Sequence, residues 1–218
     1  MQAQLLDLGV RPYREVWELQ HRLHEGVCAG REPETWIVVE HPPVVTLGRR
    51  AKRENVLLSD GELARRGVEL IAIERGGDVT YHGPGQVVVY PIRRLARFRE
   101  VVPLVRSLES AVINLCARFG VRGERWSEHS GVWVGHNQIC AVGLAVHQMV
   151  SMHGIALNVS TALDYDRLIN PCGLTDRGIT SLAAETGREL EIERVKPMLL
   201  EELARTFELA FVPVLIEA

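Results

Sequence analysis

Hydrophobic and polar positions recur along this chain with two periods, and the periods divide it into elements. Val16, Leu19, Leu23 and Val27 repeat at helical spacing within Arg11–Cys28, and Gly30 follows as a stop. Thr35–Glu40 (TWIVVE) and Val44–Leu47 are β-branched runs on either side of His41-Pro42-Pro43; the prolines forbid one continuous central ladder, so two strands around a turn are expected. Ser59 and Glu62 have the spacing of a capping box and predict a short helix ending near Gly67. Val68–Ile73 and Val87–Ile92 predict strands. Val101–Phe119 carries the longest apolar stripe, through Leu104, Val105, Leu108, Val112 and Leu115.

Strands follow at Gly131–Val134, Ile139–Val146 and Ile155–Val159. The second is apolar at successive positions, as in a strand covered on both faces. Asn170-Pro171-Cys172-Gly173 predicts a turn, Thr180–Glu185 opens a short helix stopped by Gly187, and Glu193–Leu209 predicts an amphipathic helix with Pro197 in its first turn. No repeat, low-complexity run or linker interrupts the pattern. One α+β domain over residues 1–218 is expected.

Composition narrows the classes. The net charge of −3 argues against non-specific nucleic-acid binding, and no apolar run has the length of a membrane span. The start, Met1–Asp7, lacks the basic and apolar regions of a signal peptide. Cys28, Cys116, Cys140 and Cys172 are far apart with no Cys-x-x-Cys pair, which disfavours zinc and fits a reduced, cytoplasmic protein. Of the 25 basic residues only Lys52 and Lys196 are lysines.

Between the strands at Val68–Ile73 and Val87–Tyr90 lies Arg75-Gly76-Gly77-Asp78-Val79-Thr80-Tyr81-His82-Gly83-Pro84-Gly85-Gln86. A polar hairpin loop would account for the glycines, but not for so many donors, an aromatic ring and a histidine on so rigid a frame. It reads as the wall of a binding site, with Gly77 and Gly85 as positions of positive φ or close backbone approach. A Walker loop would need Gly-Lys-Ser/Thr, and a dinucleotide fingerprint would need a helix where Gln86–Pro91 reads as a strand. Cys172 differs from the other cysteines, which fall on apolar stripes: it lies in a turn between Pro171 and Gly173, where backbone amides can be presented. His82, His153 and His136 are candidate bases or polar contacts.

Together these stretches resemble a family. RGGDVTYHGPGQ, then GVWV, AVGLAV, HGIALNV, NPCG and GITSL, with HPPVVTLGRR before them, are similar in sequence and order to the octanoyl-(acyl-carrier-protein):protein octanoyltransferases of lipoate biosynthesis. The resemblance implies an α+β fold with a mixed β-sheet and packed helices, like the biotin and lipoate protein ligases and, more remotely, class II aminoacyl-tRNA synthetases. It implies that Cys172 takes an octanoyl group from acyl carrier protein as a thioester. A lysine of a lipoyl domain or of glycine cleavage H protein then receives it, with no cofactor, metal, nucleic acid or membrane involved. It places substrate contacts at Arg75–His82, at Ala141-Val142-Gly143 and at His153-Gly154-Ile155-Ala156. Backbone amides near Gly143 and Gly154 are expected to steady a tetrahedral oxyanion.

One departure stands out. Where the family has a lysine that activates the cysteine, this chain has Gln138. An unperturbed thiol is only about 3% thiolate at pH 7, and acid–base assistance is worth about 10²–10⁴. Two rivals follow: an ATP-using lipoate or biotin ligase, which by the same resemblance needs a lysine rather than a cysteine, and a weakly active or non-catalytic acyl-binding homologue. The Arg49-Arg50-Ala51-Lys52-Arg53 and Arg93-Arg94-Leu95-Ala96-Arg97 clusters read as solvated faces or as docking sites for acidic carriers.

Overall fold

The computed structural model describes residues 2–170 and 178–214. Twelve strands and five helices are found there: β1 Gln2–Val10, α1 Tyr13–Cys28, β2 Thr35–Glu40, β3 Val44–Leu47, α2 Asp60–Arg65, β4 Glu69–Ala72, β5 Val79–His82, β6 Gln86–Ile92, α3 Val101–Arg118, β7 Glu124–Arg125, β8 Gly131–Val134, β9 Asn137–His147, β10 Val150–Asn158, β11 Gly178–Ile179, α4 Leu182–Thr186, α5 Ile192–Phe207 and β12 Ala210–Pro213. The main sheet runs β12-β1-β2-β6-β10-β9-β8-β7, with β11 beside β9. It is mixed: β1 is parallel to β12 and β2, whereas β6, β10, β9 and β8 pair antiparallel. A second sheet, β4-β3-β5, lies apart from it. The class is α+β.

The prolines after His41 explain the division. β2 and β3 adjoin in sequence but belong to different sheets, because Pro42 and Pro43 end the first ladder and let the chain turn into the second. Alternation along the central strands then builds two cores. Val87, Val89, Ile155 and Leu157 face α3 and α5, where Leu108, Val112, Leu115 and Leu199 are fully buried. Val88, Tyr90 and Ala156 face the other way, toward Tyr13 and Val16 of α1. A third cluster under the small sheet joins Val45, Leu63 and Val79 to Tyr165 and Ile169.

The Ser59 capping box forms, with Ser59 and Glu62 bonding each other's backbone amides. Gly187 ends α4 in the left-handed conformation. Three expectations need correction. The Arg75–Gln86 stretch is not all loop, because Val79–His82 is β5, paired antiparallel with β3. Pro197 is the sixth residue of α5, past its first turn, where it costs the helix one N–H. Ala141–Leu144 of β9 are half-buried rather than covered on both faces, since one face of β9 opens into a cavity. The terminal strands β1 and β12 had no clear alternation to announce them.

Candidate active site

The site begins with a break in the central ladder. β6 contains Pro91, which has no N–H to donate, although β6 is flanked by strands on both sides. Its pairing with β10 runs from Asn158↔Gln86 to Ile155↔Val89 and stops there. Beyond the break the Ser151 hydroxyl donates to the Pro91 carbonyl at 2.5 Å and accepts from the Arg93 amide at 3.2 Å. His153 takes φ 57°, rare for a residue with a side chain. With no partner on β6, its amide donates to the Gln20 side chain of α1 at 2.8 Å. Gly154 follows because nothing larger fits: a Cβ there would stand 2.0 Å from the Val89 carbonyl oxygen. Strain of this kind collects at functional sites.

A cavity of about 300 Å³, its open mouth included, lies over the break. Tyr13 of α1, Arg75, Thr80 and His82 of the Gly-rich stretch, Tyr90 of β6, Ala141 and Gly143 of β9, and His153-Gly154-Ile155-Ala156 of β10 line it. The small residues keep it open. The Arg75 guanidinium is 5% exposed and held by Thr46: Nη2 donates to its carbonyl at 2.7 Å and its hydroxyl at 2.9 Å. Gly143 lies under it, where a Cβ would meet Arg75 Cδ at 3.1 Å.

The titratable groups are nearly all held neutral. Burial lowers His82 well below the ordinary histidine value, with His41 and Arg75 adding to the effect. His41 falls to about 4, again by burial, despite donating to the Arg11 carbonyl at 2.8 Å. Burial raises Tyr13 and Tyr90. His153 is also lowered by burial, against the pull of Glu74, whose Oε1 lies 3.1 Å from His153 Nε2. Partial burial raises Glu74, but contacts from His153 and Trp17 outweigh it and leave the carboxyl low. Since His153 is the more deeply buried partner, the pair rests as a neutral imidazole beside a carboxylate.

A second hollow, about 290 Å³ with its open mouth included, adjoins the first across Thr80, Ala141 and Ala156. Val79, Tyr81, Gln86, Gln138, Asn158, Tyr165 and Ile169 complete it. Gln138 is 7% exposed, and its Nε2 finds no hydrogen-bond partner among the described residues. The hollow's described walls hold neither lysine nor carboxylate.

Of the residues expected at the site, Arg75, Thr80, His82, Ala141, Gly143, His153, Gly154, Ile155 and Ala156 line the first cavity, and Val79, Tyr81 and Gln138 the second. Cys172 lies outside the described residues. Val142 does not reach either space, because strand alternation turns it to the α3 side. Gly76 bonds the Leu144 carbonyl through its amide at 2.8 Å. Asp78 braces the loop by accepting from the Lys52 amide at 3.1 Å and its neighbour's at 2.9 Å. Gly77 and Gly85 have φ of 90° and 82°. His136 is exposed in the β8–β9 turn, away from both spaces.

In the second basic cluster Arg94 and Arg97 are exposed and Arg93 is half-buried, but Arg93 and Arg94 are tied to the fold. Arg93 lies over the Phe207 ring and beside Glu34, and Arg94 donates to the Cys28 carbonyl at 3.0 Å. Burial raises the thiols of Cys116, to about 12, and Cys140, which suits packing rather than attack. Tyr13, Tyr90 and His41 were not anticipated as part of this site. Pro91 in the middle of an apolar strand was the available signal, since a central ladder rarely admits it.

The sequence model of the lipoyl protein ligase A/B catalytic domain matches residues 12–204. An octanoyltransferase of Porphyromonas gingivalis is 44% identical over 92% of this chain, which spans 43% of that protein's length. One of Chloroflexus aggregans is 43% identical, with 93% of each chain covered. Among solved structures, a bipartite lipoate protein ligase of Thermoplasma acidophilum superposes with TM-score 0.76 at 17% identity, covering all of this chain and 88% of that one. Biotin protein ligase of Aquifex aeolicus gives 0.53 at 15%, covering 95% and 70%. At those identities the likeness is one of fold.

Proposed function

The chain belongs to the lipoyl protein ligase A/B catalytic family, on its octanoyltransferase branch, and is an acyltransferase; on that premise we propose that residues 1–218 act as one domain that moves an octanoyl group from octanoyl-acyl carrier protein, through a thioester on Cys172, to a lysine of a lipoyl domain or of glycine cleavage H protein. One observation carries the reading. Stretches distant in sequence, Arg75–His82, Ala141–Gly143 and His153–Ala156, converge on one cavity whose floor is made of small residues, and such a floor admits an unbranched alkyl chain.

In the first step the Cys172 sulfur attacks the thioester carbonyl, its proton passes to the departing carrier thiolate, and one thioester replaces another at little cost. In the second, the lysine nitrogen attacks, the Cys172–acyl bond breaks, and the proton lost by nitrogen returns to the sulfur. Amide formation from a thioester is downhill, so neither step needs a nucleotide.

The test is the intact mass of the protein after incubation with octanoyl-acyl carrier protein. A hydroxylamine-labile octanoyl adduct is expected, lost in Cys172→Ala and kept in Cys28→Ala, Cys116→Ala and Cys140→Ala. An adduct on one of those three, or acylation of the acceptor only with ATP present, overturns the reading.

A further inference from the structure

We propose that Gln86 and Asn158 are positioning residues whose amides hold His82 as the Nδ1–H tautomer, so that its Nε2 stands as a fixed hydrogen-bond acceptor at the acyl cavity. The inference rests on the acyl-transfer reading only for the purpose it gives Nε2; the tautomer itself follows from the hydrogen-bond chain.

The chain can be read from its far end in one direction only. The Thr180 carbonyl oxygen can only accept, and Asn158 Nδ2 lies 2.9 Å from it. Asn158 must therefore turn its amide nitrogen that way, which leaves Oδ1 toward Gln86 Nε2 at 3.0 Å. Gln86 is fixed twice over, because the same nitrogen also faces the Tyr81 carbonyl at 3.2 Å. Its Oε1 is then the atom 2.8 Å from His82 Nδ1, and His82 has to supply the hydrogen. Both amides and the imidazole are at least nine-tenths buried, so water cannot substitute for a partner.

No described residue hydrogen-bonds to Nε2, and His82 lines the acyl cavity. An unprotonated Nε2 cannot donate to an oxyanion. It can accept the S–H or N–H of an attacking thiol or amine and so aim the attacking lone pair. The groups around the ring are Tyr13, stacked at 5.6 Å, His41 at 5.9 Å, and the Arg75 and His153 charges or dipoles. None of them offers His82 an anion, which keeps the ring neutral. Asn158 has a second duty. The nitrogen that bonds Thr180 also donates to the Tyr165 hydroxyl at 3.1 Å, so one amide braces the chain on both sides of 171–177, the stretch that contains Cys172.

The test uses the full chain with ¹⁵N-labelled histidine and no substrate, with His82 assigned by its loss in His82→Gln. Long-range ¹H–¹⁵N correlation should show His82 Nδ1 as the protonated, pyrrole-type nitrogen and Nε2 as pyridine-type. Gln86→Leu and Asn158→Ala should shift the two signals toward each other or exchange them. The rate of octanoyl adduct formation should fall about tenfold or more in both, within the range for a misaligned acid–base group. Gln86→Glu keeps the acceptor for Nδ1–H but gives up the donor to Tyr81 and Asn158, and so separates the contact with His82 from the rest of the relay. It should retain the Nδ1–H pattern while its anion moves the acidic limb of the rate profile to higher pH. An Nε2–H ring in the wild type, or signals indifferent to Gln86→Leu and Asn158→Ala, overturns the inference even if octanoyl transfer is observed. Loss of octanoyl transfer with the tautomer intact would instead count against the proposed reaction.

Discussion

The two faces of the main sheet use the same strands to opposite ends. Toward α3 and α5, Val87, Val89, Cys140, Ile155 and Leu157 meet Leu108, Val112, Leu115 and Leu199 in a closed apolar layer. Glu109 is fully buried on that side, but it accepts from Arg106 at 2.8 Å, Arg125 at 3.0 Å and the Gly131 amide at 3.0 Å, so its oxygens are occupied. Toward α1 and the small sheet, the alternate residues of the same strands, Tyr90, Ala141, Gly143 and Ala156, surround a cavity, joined by His153, which leaves the alternation at its φ of 57°. One face is filled and the other is kept open by small side chains, a broken ladder and buried neutral polar groups. The difference teaches that the site is made by omission, of a Pro91 hydrogen and of several Cβ atoms, as much as by the groups it contains.

If omission matters, restoring atoms on the open face should do more harm than deleting them on the closed one. Gly154→Ala is expected to have the largest effect, because the Val89 carbonyl oxygen, a backbone atom, lies 2.0 Å from the new carbon. Gly85→Ala, in the β5–β6 turn rather than in the cavity lining, should follow, with φ 82° and the Ser160 and Thr161 backbone 2.6–2.8 Å from its Cβ. Both should unfold in less urea than any single truncation of the closed face. Leu108→Ala, fully buried there, should cost about 2–5 kcal/mol yet leave the octanoyl adduct rate of the folded protein unchanged. Equal stability of Gly154→Ala and the wild type would end the argument from omission.

Acid should act on the open face through its buried histidines. His41 titrates near 6.5 when unfolded and at about 4 in the fold. As pH falls, the unfolded chain takes the proton first, so stability is complete above about 6.5 and is lost as pH drops toward 4. For His41 alone the loss reaches about 3 kcal/mol, and His82 and His153 act in the same direction. The thiols of the closed face are raised and stay uncharged in acid. Urea midpoints at pH 7.5 and 5.5 should therefore differ in the wild type and differ less in His41→Gln. The same pH slope in both proteins would place the acid sensitivity elsewhere.

The closed face was legible in the sequence because burial leaves a period. The Leu104–Leu115 stripe and the β-branched runs announce helices and strands before any contact is known. The open face was legible in part. Gly77 and Gly85 betray themselves because glycine there answers a backbone need, and the Gly-rich motif could be assigned to a wall. That His41, Tyr13 and Tyr90 join the same site could not be read, since their proximity comes from a strand leaving one sheet for another at Pro42. Nor could Val142 be separated from Ala141 and Gly143 until the face of β9 was known. The roles of Arg93 and Arg94 were hidden for the same reason: a basic cluster looks alike whether it meets solvent, Phe207 or a helix C-terminus.

The finest comparison concerns Gln138 and its near neighbour Cys140. Both are buried on β9, but Cys140 belongs to the closed layer and Gln138 to the second hollow, with an unpartnered Nε2 among the described residues. A lysine at Cys140 would put an ammonium into hydrocarbon and should unfold the protein. Gln138→Lys should fold, because the hollow already holds an amide and borders Tyr165 and Asn158. With no carboxylate in its described walls, burial should draw the lysine pKa down. The residual positive charge still favours a thiolate on Cys172 if that sulfur is within a few ångströms. Each unit of lowered thiol pKa gains about tenfold in thiolate near neutrality, and reduced nucleophilicity takes back about threefold of it. The expected result is a severalfold faster octanoyl adduct, with the thiol pKa, read from the pH dependence of iodoacetamide alkylation, moving down. A gain of about a hundredfold would mean that the amine also carries protons, a task that an amide cannot perform. No change in either quantity would place Gln138 too far from Cys172 to matter, and would leave the His82 side of the cavity as the source of activation.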